Sequence, residues 1–444
     1  MTAPLLPARG RLRQVCLALQ ERAEPIYLVG GYVRDWLLGK ESHDLDLAVD
    51  GSAIALARSI ADTFRGSFVL LDQEHDTARV VFRQGDENSN VDFARLRGGD
   101  IRSDLAARDL TINAIAIHIQ QLDTIPPPLI DPLDGQKDIA ARTIRAAAEQ
   151  AFRDDPLRML RAVRQAATLG FQITPDTEAL IVRDAPLIVR VSNERVRDEL
   201  AQLLACQGAA DQMRYLHKLG VLAYILPEIV PLAEYALRTV EAMEANLTGL
   251  GDLSGLPADH FAEVLSDVRE RSVLLGFAAL LHNVGSTSEA SAAIAASVLQ
   301  RLRFSSREID LAHAVISHYP QVSRLAGQAE LSLRDRYRFF RQYGDAGLDI
   351  ICLSLAVARA AGLEREGQLQ VARDLLRYYH DEWPRIVALP RLLDGQSLMS
   401  ELNLKAGPLI GRLLEGIREA QAVGEVSSPA EAITWAANWL RRHK

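Results

Sequence analysis

Residues 28–46, with the sequence LVGGYVRDWLLGKESHDLD, constrain the fold more than any other stretch of the chain. They predict an apolar strand that runs into a Gly-Gly turn, a helix that begins at VRD, and a second strand that carries Asp44 and Asp46. Because side chains two apart in a strand point to the same side, the two carboxylates should converge on one spot. Leu45 and Leu47 should then face the core.

This segment suits a triphosphate bound beside a divalent cation. The backbone of Gly30 and Gly31 lets a triphosphate approach, the helix start offers free N–H groups, and Arg34 adds a permanent positive charge. Two carboxylates on one face repel each other unless a cation lies between them, and oxygen ligands next to phosphate suit Mg²⁺. A lone D-x-D is typical of an exposed strand edge, but this order and close spacing indicate nucleotidyl transfer.

The composition is that of a globular protein with several domains. A length of 444 residues predicts about two to four domains, and 48% hydrophobic with 24% charged residues argues against disorder. No apolar run reaches spanning length and MTAPLLPARG lacks a signal-peptide pattern, so a cytoplasmic protein without a membrane partner is expected. The net charge of −8 argues against indiscriminate coating of nucleic acid. Cys16, Cys206 and Cys352 show no metal-ligand spacing and are read as reduced thiols.

The pattern along the chain predicts an α/β head followed by a long helical remainder. Up to about residue 120, the segments YLVGG, DLDLAV, SFVLLD, ARVVF and VDFARL are strand-like, and residues 52–64 form a helical pattern. Beyond Pro126-Pro127-Pro128, Leu and Ala recur at helical spacing and no segment predicts a sheet. Pro227, residues 247–259 and residues 384–390 are the expected breaks between helical parts.

Two further polar segments of the head carry candidate site residues. If the strand-like run with Asp92 lies beside the strand of the first two aspartates, Asp92 completes a metal site or orients the attacking hydroxyl as a base. The alternative is an ordinary aspartate at a strand end. In DLAARDLTINA, Arg108-Asp109 lie near an expected helix start and Asn113 follows one turn later. There, Asp109 is either a site residue or a helix cap beside a solvated Arg108.

Residues 152–170, FRDDPLRMLRAVRQAATLG, form the most informative helical pattern of the remainder. Asp155, Arg158, Arg161 and Arg164 recur every third residue after Pro156, so they wind slowly around the helix. The apolar positions between them already define a core side. Asp155 and Arg158 are therefore either a simple i,i+3 ion pair or an acceptor and donor set that matches the edge of a nucleobase.

The ordered set GGYVRD, DLD, ARDLTINA, DPLDGQKDI and DDPLRMLRAVR resembles the class II tRNA nucleotidyltransferase and bacterial poly(A) polymerase family. These motifs span residues 27–171, and weaker similarity continues through ERVRDEL and the tail segments LLDGQSLM, GPLIG and EAQAVGEV. The resemblance implies an α+β head of the polymerase-β-like nucleotidyltransferase type with a mixed sheet, followed by an all-α neck, body and tail. The head (palm) would comprise residues 1–148, the base- and RNA-binding neck 149–228, the degenerate HD-like body 229–384, and the tRNA-binding tail 385–444.

The same resemblance implies a role for each matching residue. Asp44 and Asp46 would hold the catalytic Mg²⁺, and Gly31 with Arg34 would contact the phosphates of the nucleotide. Asp155 and Arg158 would read the base, so that protein side chains replace a nucleic-acid template. The nucleotide-binding set comprises Gly30, Gly31, Arg34, Arg108, Asp109, Asn113, Asp155, Arg158, Arg161 and Arg164. The reaction would be attack of a tRNA 3′-hydroxyl on the α-phosphate, with release of pyrophosphate.

Departures from the family pattern bear on the product. Ala107 and Asp154 replace an arginine and a glutamate found in many relatives. The connection between Arg97 and Arg108 is only GGDIRSDLAA, whereas members that add the terminal A generally carry a longer flexible loop there. This favours a CC-adding enzyme that uses CTP on the tRNA acceptor arm and 3′ end, beside a separate A-adding enzyme.

The alternatives are a full CCA-adding enzyme that also uses ATP, a poly(A) polymerase, or, from another class, a catalytically silent tRNA-binding protein. The pI of about 5.8 disfavours processive RNA binding by a poly(A) polymerase.

Histidines in the body form a second pattern. His260, His282-Asn283 and His313 or His318 resemble a degraded HD phosphohydrolase motif. Asn283 replaces the metal-binding aspartate, and a neutral amide does not supply the negative charge of a di-metal centre. We therefore expect these histidines to be structural and predict no hydrolase activity.

Overall fold

The computed structural model describes residues 11–42, 44–84, 87–249, 257–266, 269–328, 330–363 and 366–442. The chain divides into two compact units, one of residues 1–202 and 215–225 and one of residues 203–214 and 226–444. The division into head, neck, body and tail at residues 148, 228 and 384 stays a prediction. Among the described residues, no helix is both long and apolar enough to cross a bilayer.

A six-stranded mixed sheet organises the first unit. Its strands are β1 (Ile26–Val29), β2 (Asp44–Val49), β3 (Ser67–Asp72), β4 (Thr77–Gln84), β5 (Glu87–Arg95) and β6 (Ala116–His118), in the order β3-β4-β5-β2-β1-β6. β2 and β5 run parallel, and the other neighbouring strands run antiparallel. The predicted mixed sheet and its five strand-like segments are confirmed. β6, a short apolar strand at one edge, was not predicted.

Helices cover this sheet and continue into the neck sequence. They are α1 (Arg11–Gln20), α2 (Gly31–Leu37), α3 (Ala53–Phe64), α4 (Ile101–Ala106), α5 (Gly135–Ala141), α6 (Ala151–Asp154), α7 (Arg158–Leu169), α8 (Pro175–Asp184), α9 (Asn193–Ala205), α10 (Ala209–Lys218) and α11 (Val221–Ile225). The predicted helix at residues 52–64 is α3, which begins where the Ser52 hydroxyl accepts the Ala55 N–H. A two-stranded parallel pair, β7 (Thr143–Ile144) and β8 (Gln172–Ile173), links the sequences on either side of α7.

A small apolar core lies directly beneath the Gly-Gly turn. Val29 of β1, Ala48 of β2 and Ala116 of β6 pack with Leu105 of α4, and all four are at most 1% exposed. This packing restricts the position of β1 and β2, the strands next to the turn and with the paired aspartates, because close-packed side chains leave little room for adjustment.

One local prediction in the head is wrong. Residues after Arg108-Asp109 do not begin an α-helix; Thr111–Asn113 form a single 3₁₀ turn that leads into β6. The 3₁₀ turn is buried, and the Asp109 carboxylate accepts the Leu110 N–H and the Asn113 amide. Asp109 is thus tied to the turn instead of capping a helix.

Where the structure describes it, the second unit is helical apart from the antiparallel pair β9 (Val264–Ser266) and β10 (Arg269–Glu270). Its helices are α12 (Ala233–Leu247), α13 (Ala258–Phe261), α14 (Arg271–Leu281), α15 (Ser288–Arg301), α16 (Ser306–His318), α17 (Pro320–Ala326), α18 (Leu333–Tyr343), α19 (Ala346–Ala360), α20 (Glu366–Asp381), α21 (Trp383–Val387), α22 (Gly395–Leu402), α23 (Pro408–Ala422) and α24 (Pro429–Arg442). The predicted helical remainder is confirmed. Pro227 begins a 3₁₀ segment before α12, and residues 250–256 of the predicted break at 247–259 lie outside the described residues.

Candidate active site

The Gly-Gly turn joins β1 to α2 and brings the backbone against Asp46. Gly30 has φ +71°, a conformation that L side chains rarely adopt, and a Cβ there would lie 2.9 Å from Asp46 Oδ2. The same Cβ would lie 3.2 Å from Arg108 Nη1. Gly31 begins the helix, and its N–H donates to Asp46 Oδ2 at 3.1 Å. Glycine at position 30 is therefore required by both backbone conformation and lack of space.

The two aspartates of the D-x-D motif share one side of β2, as predicted. Asp44 is exposed and Asp46 half-buried, whereas Leu45 and Leu47 are 1% and 2% exposed. Asp44 Oδ1 accepts the Asn90 N–H at 3.3 Å. Each carboxylate thus uses one oxygen on a backbone N–H, and no contact with another described residue engages its other oxygen.

Asp92 lies on β5, directly opposite Asp46 in the parallel pairing of β2 and β5. The sequence predicts Asp92 as a site residue if its strand lies beside the strand of Asp44 and Asp46, and β5 does lie beside β2. Both of its oxygens accept hydrogen bonds from Arg79 of β4, from Nε at 2.7 Å and Nη2 at 2.8 Å. This bond to Asp92 also raises the pKa of Arg79. Each carboxylate oxygen still has a second lone pair, so the contact with Arg79 does not exclude another donor.

The electrostatics of Asp46 show that this strand end favours a cation. Burial raises the pKa of Asp46, and Asp92 and Asp44 raise it further, while Arg108 and the Gly31 N–H act in the opposite direction. A carboxylate in this position is more easily kept ionised when positive charge lies next to it. Both the free oxygens and the raised pKa of Asp46 therefore favour a bound cation.

The donor set of this strand end fits a divalent metal of the Mg²⁺ kind. The described residues contain no group of three or more His, Cys, Asp or Glu side chains placed to hold a metal. Mg²⁺ typically binds one or two carboxylates and completes its shell with water and substrate phosphates. Asp44 and Asp46 supply such an incomplete set beside a turn that can admit a triphosphate.

Arg34 projects from α2 into a buried polar cluster. Its Nη1 donates to Asn113 Oδ1 at 2.9 Å and to Gln165 Oε1 at 3.2 Å, and its Nη2 lies 2.8 Å from Asp35. The side chain is 14% exposed. Arg34 and Asn113, two of the predicted nucleotide-binding residues, are therefore in direct contact, and Gln165 joins them.

A second part of the cluster is centred on Asp109. Its carboxylate accepts from Asn113 Nδ2 at 3.0 Å and from Arg161 Nε at 3.1 Å. Burial alone would raise the pKa of Asp109, but the charge of Arg161 and the hydrogen bonds of Asn113 and Leu110 outweigh it, so the pKa lies below its ordinary value. Asp109 is thus ionised, and it connects the 3₁₀ turn of the head to α7.

The connection between Arg97 and Arg108 contains a 3₁₀ turn and helix α4. The side chain of Asp100 accepts the N–H groups of Arg102 and Ser103 and begins α4. Asp104, 3% exposed, accepts the Arg97 N–H at 3.2 Å and pairs with Arg108, whose Nη2 lies 3.0 Å from it. Arg108 is therefore held by an ion pair and is not simply solvated.

The predicted base-reading pair is not an i,i+3 ion pair. Asp155 Oδ2 binds Arg195 at 2.7 Å, and Asp155 Oδ1 accepts the Leu157 N–H. Arg158 donates to the carbonyl oxygens of Ala107, Arg108 and Ala151. Burial lowers the pKa of Arg158, and Arg97 lowers it further.

The three arginines of α7 contact two different parts of the structure: Arg158 and Arg161 contact the head, and Arg164 contacts a neighbouring helix. Arg158, Arg161 and Gln165 contact the head, and their spacing of i, i+3 and i+7 places them on one face of the helix. Arg164 instead binds Glu199 of α9, with Nε to Oε2 at 2.7 Å. The arginines at every third position therefore do not act as one set: Arg158 and Arg161 face the head, and Arg164 faces α9.

Several residues of this cluster were missed by sequence reasoning. Gln165 had a usable signal, because it completes the i, i+3, i+7 row of a helix already singled out. Arg195 and Glu199 lie in the weaker ERVRDEL segment, whose sequence does not indicate which residues they face. Arg79 and Asp104 gave no signal, since their partners depend on strand order and on the course of α4.

The body histidines have structural partners. His260 Nε2 lies 3.1 Å from Asp349, which is fully buried and also binds Arg271 at 2.7 Å. His282 Nδ1 donates to the Ala279 carbonyl oxygen at 2.9 Å. Burial lowers the pKa of His282 to about 4, so its ring is neutral near neutral pH. The partners of His260 Nε2 and of His282 Nδ1 are thus groups of the protein itself.

The paired aspartates, the Gly-Gly turn and the polar cluster around Arg34 and Asp109 together define a metal-dependent nucleotidyltransferase head. Comparisons with known proteins agree. The poly A polymerase head domain matches residues 26–145, the RNA- and SrmB-binding site of polymerase A matches residues 170–232, and the tRNA nucleotidyltransferase domain 2 matches residues 272–437.

The chain belongs to the class II tRNA nucleotidyltransferase family, and the resemblance seen in its motifs is confirmed. It is 33% identical to the CC-adding tRNA nucleotidyltransferase of Synechocystis over 92% of both chains, and 36% identical to that of Geobacter sulfurreducens over 91% of this chain and 90% of the relative. An A-adding tRNA nucleotidyltransferase of Deinococcus radiodurans is 31% identical over 93% of this chain and 95% of the relative.

Solved structures share the fold. A CCA-adding enzyme in complex with CTP superimposes with a TM-score of 0.74 at 23% identity, covering 98% of this chain and 96% of that one. The Thermotoga maritima CCA-adding enzyme complexed with tRNA gives a TM-score of 0.72 at 23% identity and covers 98% of both chains. The predicted head with a helical remainder is therefore the fold of this family, whose enzymes use a divalent metal.

Proposed function

We propose that this chain is a cytoplasmic CC-adding enzyme, which transfers cytidine nucleotides from CTP to the 3′ end of tRNA and releases pyrophosphate. The proposal rests on one observation: two relatives that match this chain over about nine-tenths of their length are CC-adding tRNA nucleotidyltransferases. The short connection between Arg97 and Arg108 supports it, because helix α4 occupies most of that connection in place of a long loop.

In this proposal, Asp44 and Asp46 hold Mg²⁺ at the end of β2. The metal would supply positive charge for the attacking oxygen, the leaving oxygen and the phosphates. The Gly30-Gly31 backbone admits the triphosphate, and Arg34 and Arg108 neutralise its charge. Asp92, opposite Asp46, accepts the tRNA 3′-hydroxyl proton or adds negative charge that retains the metal.

Nucleotide choice is assigned to α7 and the residues around it. Asp155 accepts hydrogen bonds from the base and Arg158 donates to it, as side chains do when they read base edges in DNA. Asp109, Asn113, Arg161 and Arg164 keep the pocket in shape through their mutual contacts. Arg195 already donates to one oxygen of Asp155, so the base either shares this carboxylate with Arg195 or replaces that contact.

The tRNA acceptor arm is the proposed polynucleotide substrate, with the neck and tail sequences as its binding parts. A solved neighbour of the same fold is a complex with tRNA. An A-adding enzyme acting on the same tRNA would complete the end. The A-adding relative at 31% identity makes terminal A addition the second candidate, with full CCA addition or poly(A) synthesis as further products of the same chemistry.

The site assignment is tested with tRNA that ends before CCA and radiolabelled CTP. Replacing both metal-binding residues, Asp44→Asn with Asp46→Asn, should lower cytidine addition at least about a hundredfold, because the metal's charge stabilisation is lost. tRNA binding, measured by filter retention, should stay unchanged. Asp50→Asn is the matched control, since Asp50 is exposed just beyond the same strand. Full addition by the double variant would contradict the assignment.

A further inference from the structure

Gln165 is a buried polar residue at the centre of the nucleotide-binding cluster, and the mechanism above gives it no role. It is 6% exposed and lies on the head-facing row of α7. Its Oε1 accepts from Arg34 Nη1 and from Asn113 Nδ2, each at 3.2 Å. One oxygen therefore joins two of the residues assigned to the nucleotide.

The neighbours of Gln165 determine which way its amide points. Arg34 can only donate, so the Gln165 atom facing it must be the oxygen. Asn113 is fixed by the same reasoning, because its oxygen accepts from Arg34 and its nitrogen donates to the Asp109 carboxylate. That nitrogen can in turn pair only with an oxygen of Gln165. The orientation of the Gln165 amide thus follows from the charges around it.

This orientation leaves the amide nitrogen of Gln165 unused. Nε2 has no hydrogen-bond partner among the residues that the structure describes, although Gln165 is only 6% exposed. A buried amide normally satisfies its donors, so an oriented donor without a partner indicates a ligand. It lies beside Arg34, whose guanidinium is assigned to phosphate, and so favours an anionic oxygen acceptor.

We infer that Gln165 is a nucleotide-binding residue, whose Oε1 positions Arg34 and Asn113 and whose Nε2 donates to the outer phosphates of the incoming nucleotide. The inference rests on the proposed function, because it needs CTP in this pocket. Gln165 would thus add a neutral hydrogen-bond donor to the phosphate-binding residues. Its contacts with Arg34 and Asn113 hold this donor in place.

The variant Gln165→Glu separates the two roles. It keeps the oxygen that Arg34 and Asn113 require but replaces the donor by a carboxylate oxygen, which repels phosphate. The equilibrium Kd for CTP should rise about tenfold or more, the change expected for loss of one hydrogen bond to a charged group. The Kd for cytidine 5′-monophosphate, which lacks the outer phosphates, should stay within a factor of about two. Gln172→Glu is the control for charge, because Gln172 is exposed on β8.

Unchanged CTP affinity in Gln165→Glu would overturn the inference, and so would equal weakening of both nucleotides, which would assign Gln165 to the base or to structure. If that variant does not fold, Gln165→Met removes the donor without adding charge, and unchanged CTP binding there has the same meaning. Failure of the wild-type enzyme to bind CTP would instead refute the proposed function.

Discussion

At the scale of single residues, Asp46 combines structural and chemical requirements. It accepts the N–H of Gly31, lies opposite Asp92 and is close to the space that a Cβ at Gly30 would occupy. Burial and two neighbouring carboxylates raise its pKa, and a bound cation would relieve that unfavourable environment. The D-x-D motif therefore depends on the Gly-Gly turn as much as on its own aspartates.

Gly30 gives a sharp test of this dependence. Gly30→Ala places a Cβ 2.9 Å from Asp46 Oδ2, so we expect kcat for cytidine addition to fall about a hundredfold, the effect of a displaced catalytic group. Gly39→Ala is a matched control, because Gly39 has φ +70° but no atom within 4 Å of its Cβ position. Both variants should lose about 1 kcal/mol of unfolding free energy from backbone strain. Equal kcat values in the two variants would show that the close approach does not matter.

The residue scale also shows what sequence alone could not supply. The alternation of Asp44 and Asp46 with buried leucines follows from strand periodicity, and the structure confirms it. The partners of individual charges do not follow from any local pattern. Asp92 faces Arg79 only because β4 and β5 pair in one register, and Asp155 faces Arg195 across forty residues of sequence.

At the scale of elements, α7 carries the contacts between the base-reading segment and the head. Its head-facing row reaches Asp109, Asn113 and the carbonyl oxygens of residues 107 and 108. Helical periodicity predicts such a row. Sequence reasoning grouped the arginines by spacing of three and therefore included Arg164, whose partner Glu199 lies on another helix, and overlooked Gln165.

The support that α4 gives to Arg108 is tested at Asp104 and at Asp100, the residue that caps the start of the helix. Asp104→Asn removes the charge that holds Arg108, so we expect a loss of about 2 kcal/mol in unfolding free energy and a lower kcat/KM for CTP. Asp100→Asn should change neither quantity, because asparagine caps a helix as well as aspartate does. Urea denaturation and initial-rate kinetics on both variants make the comparison. Normal CTP kinetics in Asp104→Asn would mean that Arg108 needs no support from α4.

At the scale of the whole molecule, sequence reasoning predicted the fold well because its strongest signals are local. Strand alternation identified five strands, helical spacing identified the long remainder, and five motifs identified the family. The short strands β6, β7, β8, β9 and β10 were missed, since two or three residues carry too little periodicity to be recognised. Product choice is a property of the assembled pocket and is therefore not contained in any one motif.

The most direct measurement is the product formed on defined tRNA ends. The purified enzyme is given tRNA ending at the discriminator base and tRNA already ending in CC, each with CTP alone, ATP alone or both, and the products are resolved at single-nucleotide resolution. We predict that CTP extends the first tRNA to CC and stops, and that ATP is added to neither. Addition of A after CC, or no use of CTP, would contradict the account.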